Sequence, residues 1–153
     1  AARGRGATAT ERQFVTFRLG DGEYGIPIHE IQEIDRASKM TRIPKSADYV
    51  DGVTNLRGEV IPVVNARRRF GLPPQEVDER TRVIILDVAG RKTGLLVDAV
   101  REVLSLAAAE VSPPPPAISE GVEPRFIAGI GRVSDGRRMV VLLHTAAVVH
   151  AEV

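Results

Sequence analysis

Histidine and aspartate side chains are the residues of this sequence that could carry out acid–base or metal chemistry. The histidines His29, His144 and His150 lie far apart in the chain, and none has the spacing of a zinc-binding HExxH motif. Asp87 and Asp98 lie in or beside apolar runs, but general acid–base catalysis needs a matched partner and a shifted pKa. We therefore expect structural roles for these side chains and no metal or cofactor site. An enzyme that uses Asp87 or Asp98 is an alternative for which the sequence suggests no substrate.

Motifs of nucleophilic catalysis and phosphate binding are missing. No serine lies in a GxSxG elbow, and the stretch GIGRVS at 129–134 does not complete a GxGxxG loop that opens a helix. The chain has no cysteine, which excludes disulfides and thiolate metal ligands. These features favour a protein without a reaction of its own.

A run of three arginines, Arg67 to Arg69, could in principle bind nucleic acid. RNA-binding barrels combine such charge with aromatic side chains on which bases stack, but none of the two tyrosines and four phenylalanines is interleaved with the arginines. On a helix the three side chains point to different sides. This is typical of a solvated helix whose cationic side chains interact favourably with the negative, C-terminal end of the helix dipole. A small RNA-binding barrel that uses Arg67–Arg69 is the alternative hypothesis.

Length and charge fit one soluble domain. The 153 residues include 21 Lys and Arg against 20 Asp and Glu, and a net charge of +1 gives no long-range attraction to nucleic acid or to an anionic membrane. No apolar run approaches the ~20 residues of a membrane span, and the N-terminal stretch lacks the apolar segment of a secretory signal. We expect a cytoplasmic protein with a flexible tail over residues 1–12 and a single domain over 13–153.

The sequence repeats itself. Residues 14–34 align without gaps on residues 83–103, and the apolar positions of the two segments coincide. A second alignment relates 49–70 to 126–149, where the later copy has two extra residues in its turn. The repeat predicts two halves with the same order of strands.

Each half reads as short strands joined by glycine turns and closed by a short helix. We predict half-barrels over about 13–80 and 81–143, followed by a C-terminal helix over about 145–152. Neither half is large enough to form a stable hydrophobic core of its own. We therefore expect one core shared by the two halves, with a groove where they meet.

Turn and cap residues predict where several elements end. Asn65 can cap a helix over 66–70 that Gly71 ends, and Thr145 can cap the C-terminal helix. Pro62 predicts an edge or bulge position for its strand, because proline donates no hydrogen bond to a neighbouring strand.

The stretch GVTNLRGEVI at 52–61 predicts a hairpin whose turn is shaped by Asn55 and Gly58. Arg57 lies at the bend, where a small polar residue would suffice, and the aligned residue of the second copy is Ser134. The fold therefore does not require an arginine here. A guanidinium can pair with a carboxylate of another protein while its stem covers apolar surface, so Arg57 indicates contact with a partner.

The sequence carries four motifs in this order: FVTFRLGDGEYGIPIHEIQEI, GVTNLRGEVIPVVN, GLLVDAVREVLSL and FIAGI. Together they resemble the CheW family of chemotaxis coupling proteins over nearly the whole chain. The resemblance implies a mainly β fold of two intertwined five-stranded SH3-like barrels with pseudo-twofold symmetry and a few short helices. It implies a non-catalytic scaffold without cofactor, nucleic acid or membrane insertion, whose partners are the cytoplasmic tip of methyl-accepting chemoreceptors and the regulatory domain of the histidine kinase CheA. Such a protein is cytoplasmic and associates with membrane receptor arrays through its partners.

The resemblance also assigns roles to individual positions. Receptor contact falls on Arg57 and Glu33, beside an apolar groove lined by Ile31, Val53 and Leu56. The positions for kinase contact are Gly52, Gly94, Val97 and Val100.

Two places depart from the family pattern. Family members commonly carry an aspartate and a large apolar residue where this chain has Asn65 and Ala66, and an acidic residue is frequent near His144. The helix cap is kept but the local charge changes, so the receptor or kinase partner need not be that of the best-known members.

Overall fold

The computed structural model describes residues 11–44, 49–114 and 122–150. Within these ranges the chain forms twelve β-strands, two short α-helices and a few 3-10 turns. The strands are β1 (Glu11–Leu19), β2 (Gly22–Pro27), β3 (Ile31–Arg36), β4 (Thr41–Arg42), β5 (Val50–Leu56), β6 (Glu59–Asn65), β7 (Arg82–Val88), β8 (Arg91–Val97), β9 (Ala99–Ala107), β10 (Val111–Ser112), β11 (Ile127–Val133) and β12 (Arg138–Leu143). The helices are α1 (Ala66–Phe70) and α2 (Thr145–Val149).

The strands form two six-stranded sheets. The N-sheet has the order β3-β7-β8-β6-β5-β4, and the C-sheet has the order β10-β11-β12-β2-β1-β9. Each sheet takes four strands from one half of the chain and two neighbouring strands from the other half, so the halves are intertwined. Five strands of each sheet are long, and the sixth, β4 or β10, has two residues. The predicted mainly β fold of two intertwined SH3-like units is confirmed.

The same strand contacts occur once in each sheet. β1 pairs antiparallel with β9 as β7 pairs with β3, and β2 runs parallel to β12 as β8 runs parallel to β6. The register is repeated as well, since Val15 lies opposite Val103 and the aligned residue Ile84 lies opposite Ile34. The sequence repeat is therefore a structural repeat, with a pseudo-twofold relation between the sheets.

The largest hydrophobic cluster draws on both halves of the chain. It contains Phe17 and Tyr24 from the first half together with Ile84, Leu95 and Phe126 from the second. A chain of aromatic contacts runs through it, with ring centroids 5.7 Å apart between Phe17 and Tyr24. Because each buried aromatic side chain removes about 150–250 Å² from water, this shared core ties the halves together, as the sequence predicted.

The β5–β6 turn uses a left-handed backbone. Arg57 and Gly58 have φ angles of 52° and 86° and connect the paired residues Leu56 and Glu59. Two consecutive positive φ angles match the twist of a two-residue hairpin. Ser134, which the sequence aligned with Arg57, has a φ of 55° in the β11–β12 turn. The bend is common to both sheets, while the side chain at it differs.

The helix ends confirm one cap and correct another. The Asn65 side chain accepts a hydrogen bond from the Arg68 N–H at 3.2 Å, and Gly71 ends α1 with a φ of 76°. The predicted Thr145 cap is wrong, because His144 Nδ1 accepts the Ala147 N–H at 3.4 Å and Thr145 is the first helical residue. His144 is the residue that aligns with Asn65, so the repeat locates the cap better than residue preference does.

Pro62 does not lie at a sheet edge. β6 is internal to the N-sheet, between β5 and β8, and its register shift with β5 lies between Val50 and Gly52. The prediction of an edge or bulge position is therefore wrong. The parallel pairing with β8 begins at Val63, one residue after the proline, so the missing N–H does not interrupt it.

Two predicted boundaries shift by a few residues. β1 begins at Glu11, inside the predicted tail, and residues 1–10 lie outside the described part of the chain. α2 ends at Val149, before the predicted end near residue 152, and residues 151–153 are also outside the description.

Candidate functional site

Arg57 presents an exposed cation at the tip of the β5–β6 hairpin. Asn55 Oδ1 accepts the Gly58 N–H at 3.0 Å, so the turn is held by its neighbours and not by the arginine. Among the described residues the Arg57 guanidinium has no hydrogen-bond or salt-bridge partner. The left-handed backbone recurs in the other hairpin turns, at Ala89 and Ser134, and therefore belongs to the turn itself. The exposed guanidinium, which the turn does not need, is the feature that makes Arg57 a candidate for binding.

The curl of the N-sheet brings β3 to this hairpin. Glu33 and Asp35 alternate along β3 and share a hydrogen bond, which with the partial desolvation of Glu33 raises the pKa of its carboxyl. The charges of Arg57 and Lys39 act in the opposite direction and lower that pKa. We call these four residues, Arg57, Glu33, Asp35 and Lys39, the Arg57 surface. Sequence reasoning found Arg57 and Glu33 but missed Asp35 and Lys39, although the two-residue spacing in β3 could have indicated Asp35.

The predicted apolar groove is only partly open in the free chain. Ile31 and Val53 are half-buried, whereas Leu56 is 5% exposed and packs in the core of the N-sheet. Val53 and Leu56 also face opposite sides of β5, because side chains alternate along a strand. Val60, which pairs with Asn55 beside the hairpin and is 66% exposed, supplies apolar surface that the sequence reasoning did not select.

The positions predicted for kinase contact have packing roles of their own. A Cβ at Gly52 would overlap the Thr41 carbonyl oxygen, and a Cβ at Gly94 would lie 2.9 Å from Val83 Cγ1. Val97 is 1% exposed, and Val100 is half-buried. Close packing therefore accounts for both glycines, and of the four positions Val100 in β9 has the most surface to offer a partner.

The three arginines of α1 are not a solvated basic face, which corrects the sequence interpretation. Arg67 donates to both carboxylate oxygens of Asp98, from Nε at 2.9 Å and from Nη2 at 2.7 Å. Arg68 pairs with Asp51 at 2.7 Å. Arg69 is 6% exposed and donates to the carbonyls at the end of α2. Local sequence could not show this, since the Asp98 and α2 partners lie in the other half of the chain.

Asp98 has a structural role. Its Oδ2 also accepts the Gly20 N–H at 2.7 Å, so the carboxylate links the β1–β2 turn to α1. Burial raises the pKa of Asp98, but the hydrogen bonds from Arg67 and Gly20 outweigh burial, and the net pKa is lowered. A carboxylate held ionised by a bidentate arginine has no proton to donate at neutral pH, which fits a clamp and not a catalytic acid.

The described residues show no constellation for catalysis or metal binding. No group of three or more histidine and carboxylate side chains in the described ranges could hold a metal ion. Burial lowers the pKa of His150, with a contribution from the Arg91 charge, and the His29 and His144 side chains lie elsewhere. In the part of the chain that the structure describes, no helix has the length and apolarity needed to cross a membrane.

Comparisons with known proteins agree with this picture. The family model described as "CheW-like domain" matches residues 13–153. The Chemotaxis protein CheW of Klebsiella aerogenes is 37% identical over 92% of this chain and 83% of the relative, and that of Bacillus subtilis is 31% identical over 94% and 90%. The crystal structure of the scaffolding protein TtCheW from Thermoanaerobacter tengcongensis is similar with a TM-score of 0.78 and 32% identity, covering 86% of this chain and 88% of that chain.

Proposed function

This chain belongs to the CheW family, and from that premise we propose that it couples methyl-accepting chemoreceptors to the histidine kinase CheA as a scaffold without a reaction of its own. Chemotaxis proteins named CheW are similar to it over most of their length, and one solved relative is described as a scaffolding protein. The coupling role requires at least two binding surfaces, one for each partner.

The observation that supports the receptor surface is the unpaired Arg57. The aligned Ser134 has the same left-handed backbone without a guanidinium, so the arginine is an addition to a turn that already works. A carboxylate on a receptor helix would be paired bidentately by Arg57, and Glu33 would accept a hydrogen bond from a receptor donor. Val53 and Val60 lie beside the hairpin and would cover apolar receptor side chains.

For the kinase we propose the edge formed by β9 of the C-sheet. β9 pairs with β1 on one side, and among the described residues no strand pairs with its other side. Val100 is half-buried on this strand and Val103 is 52% exposed. An unpaired strand edge that also carries exposed apolar side chains is a natural place for another chain to bind.

An RNA-binding role is not supported. The Arg67–Arg69 run is committed to Asp98, Asp51 and the end of α2, and the relatives are named as chemotaxis proteins. We expect no salt-dependent retention on an oligonucleotide column, whereas phosphate contacts would give retention that falls steeply with salt.

The receptor assignment is tested with the charge reversal Arg57→Glu and the control Arg91→Glu, which changes an exposed arginine in the β7–β8 hairpin. We expect Arg57→Glu to lower binding to a purified receptor signalling fragment at least about tenfold, since one charge-assisted hydrogen bond contributes about 1.5–3 kcal/mol. Binding to the CheA regulatory domain should be unchanged in both variants. Co-sedimentation measures the first and a pull-down the second. Receptor binding at the wild-type level by a folded Arg57→Glu protein would remove Arg57 from the site.

A further inference from the structure

A third surface, a groove on the C-sheet that contains no residue of β9, has the features of a docking site and is not used by the proposed function. A groove of about 810 Å³ lies between β2, β11 and β12 and the segment that follows α1. Its floor is apolar and includes Ile127, Ile130 and Val141. Met139 borders it and is 53% exposed. The arginines that line it are Arg18, Arg67, Arg132, Arg137 and Arg138.

Two of these arginines are already neutralised. Arg67 is held by Asp98, and Arg138 lies at 2.5 Å from both Glu23 and Glu102. Arg132 and Arg137 are exposed and have no carboxylate partner among the described residues. Asp21 also lines the groove and offsets one positive charge, but with Arg18, Arg132 and Arg137 the rim keeps a net positive charge.

The pseudo-twofold relation shows that the fold does not demand this charge. In the N-sheet the residue aligned with Arg132 is Asn55, and the residue aligned with Met139 is Val60. Met139 and Val60 are both strongly exposed, at 53% and 66%, so an apolar surface exists in both sheets. The residue paired with Met139 in the C-sheet is Arg132, whereas the residue paired with Val60 in the N-sheet is the uncharged Asn55.

We propose that this groove docks an acidic segment of a partner protein, with an apolar side chain seated against Met139 and Val141 and with carboxylates held by Arg132 and Arg137. A volume of this size accepts several side chains of a peptide. The flexible methionine adapts to the shape of an apolar anchor. Charge complementarity selects the acidic partner, because a basic segment would meet unpaired arginines.

The surface is distinct from the Arg57 surface, which lies on the N-sheet. Arg57→Glu and changes in the groove should therefore act independently, and failure of one assignment leaves the other standing. Cross-strand contact between Arg132 and Met139 in the β11–β12 pair keeps the charge and the apolar anchor adjacent.

The test uses the full chain and two short fluorescein-labelled peptides, one of glutamates and leucines and one with lysine in place of glutamate. Binding is followed by fluorescence anisotropy and located by amide chemical shifts. The double variant Arg132→Glu/Arg137→Glu is compared with the control Arg42→Glu/Arg91→Glu, which reverses two exposed arginines of the N-sheet. Thermal unfolding checks that all variants are folded.

We expect the acidic peptide to bind with shifts confined to β2, β11 and β12, and the groove variant to bind it at least about tenfold more weakly than the control does. The affinity should fall with added salt, and the lysine peptide should not bind. Equal binding by the groove and control variants would overturn the proposal, as would shifts in the N-sheet. If the peptide binds only after residues 115–121 are replaced by glycine and serine, the groove is a site for the chain's own segment, and the proposal is also wrong.

Discussion

The substitution Arg57→Gly should separate the stability of the β5–β6 hairpin from its binding function. The arginine has a φ of 52°, a left-handed conformation in which a residue with a Cβ is strained by about 1–2 kcal/mol. Glycine removes that strain, but it also gives the unfolded chain more freedom, at a cost of about 0.5–1 kcal/mol. The hydrogen bond from the Gly58 N–H to Asn55 does not involve the Arg57 side chain and should remain.

The net expectation is that Arg57→Gly leaves the free energy of unfolding unchanged or raises it by up to about 1.5 kcal/mol. A matched control is Ala89→Gly, since Ala89 is exposed in the β7–β8 turn with a φ of 55°. Both variants should show the same change in the urea midpoint with an unchanged slope. Only Arg57→Gly should lose binding to the receptor signalling fragment.

Urea unfolding and co-sedimentation of the same preparations measure both effects. If Arg57→Gly lowered the free energy of unfolding by more than about 1 kcal/mol while Ala89→Gly did not, the guanidinium would be stabilising the hairpin. The inference that Arg57 serves a partner would then lose its support. Retained receptor binding by the glycine variant would refute it directly.

Three further predictions concern two contacts that hold the halves together, those of Arg69 and Asp98, and the close packing at Gly52. Arg69→Met should lower the free energy of unfolding in urea by about 2–4 kcal/mol. The Ala147 and Val148 carbonyls lose their hydrogen-bond donor, and the guanidinium no longer lies over the Tyr49 ring at 4.4 Å. The control Arg68→Met changes a side chain that is 44% exposed and should cost less than about 1 kcal/mol. The pKa of Asp98 is lower in the folded protein than its value of about 3.9 in the unfolded chain, so ionised Asp98 stabilises the fold above that pH. This stability is lost as the pH falls through the folded pKa. The free energy of unfolding of Asp98→Asn should therefore fall less than that of the wild type between about pH 7 and pH 2. Gly52→Ala should lower the free energy of unfolding by about 1–3 kcal/mol, because its Cβ would overlap the Thr41 carbonyl oxygen. An unchanged unfolding midpoint would contradict this and would show that β4 can move away from the added methyl group at little cost.

The repeat made most of the fold predictable from sequence. Aligned apolar positions, such as Ile34 with Val103, lie at the same places in the two sheets because register follows the pattern of side chains. Residue preference failed where the repeat would have succeeded, since His144 caps α2 at the position aligned with Asn65. Long-range polar partners could not be predicted, and the bidentate pair of Arg67 with Asp98 is the clearest case.

The candidate site shows the same limit. Arg57 and Glu33 were identified through the turn and the family resemblance, but their closeness depends on how the N-sheet curls. Asp35 and Lys39 complete the Arg57 surface; the spacing in β3 could have indicated Asp35, but Lys39 is recognised only once β3 lies beside the hairpin. Leu56 satisfied the apolar pattern, yet the strand turns its side chain into the core. The apolar pattern of the sequence identifies the strands, but the curvature of the folded sheet determines which of their side chains come into contact.

The intertwined pairing raises a question that apolar pattern cannot answer, because aligned strands of the two halves are interchangeable by hydrophobicity. The charges distinguish them. Glu23 of β2 pairs with Arg138 of β12 in the C-sheet, and in the N-sheet the aligned positions hold Lys92 of β8 and Glu59 of β6 with the signs reversed. If each half instead paired its own strands, Glu23 would face Glu59 and Lys92 would face Arg138. Like charges in these places are unfavourable, so the reversal favours the intertwined arrangement over the separate one, by up to about 1 kcal/mol for the exposed Lys92–Glu59 pair.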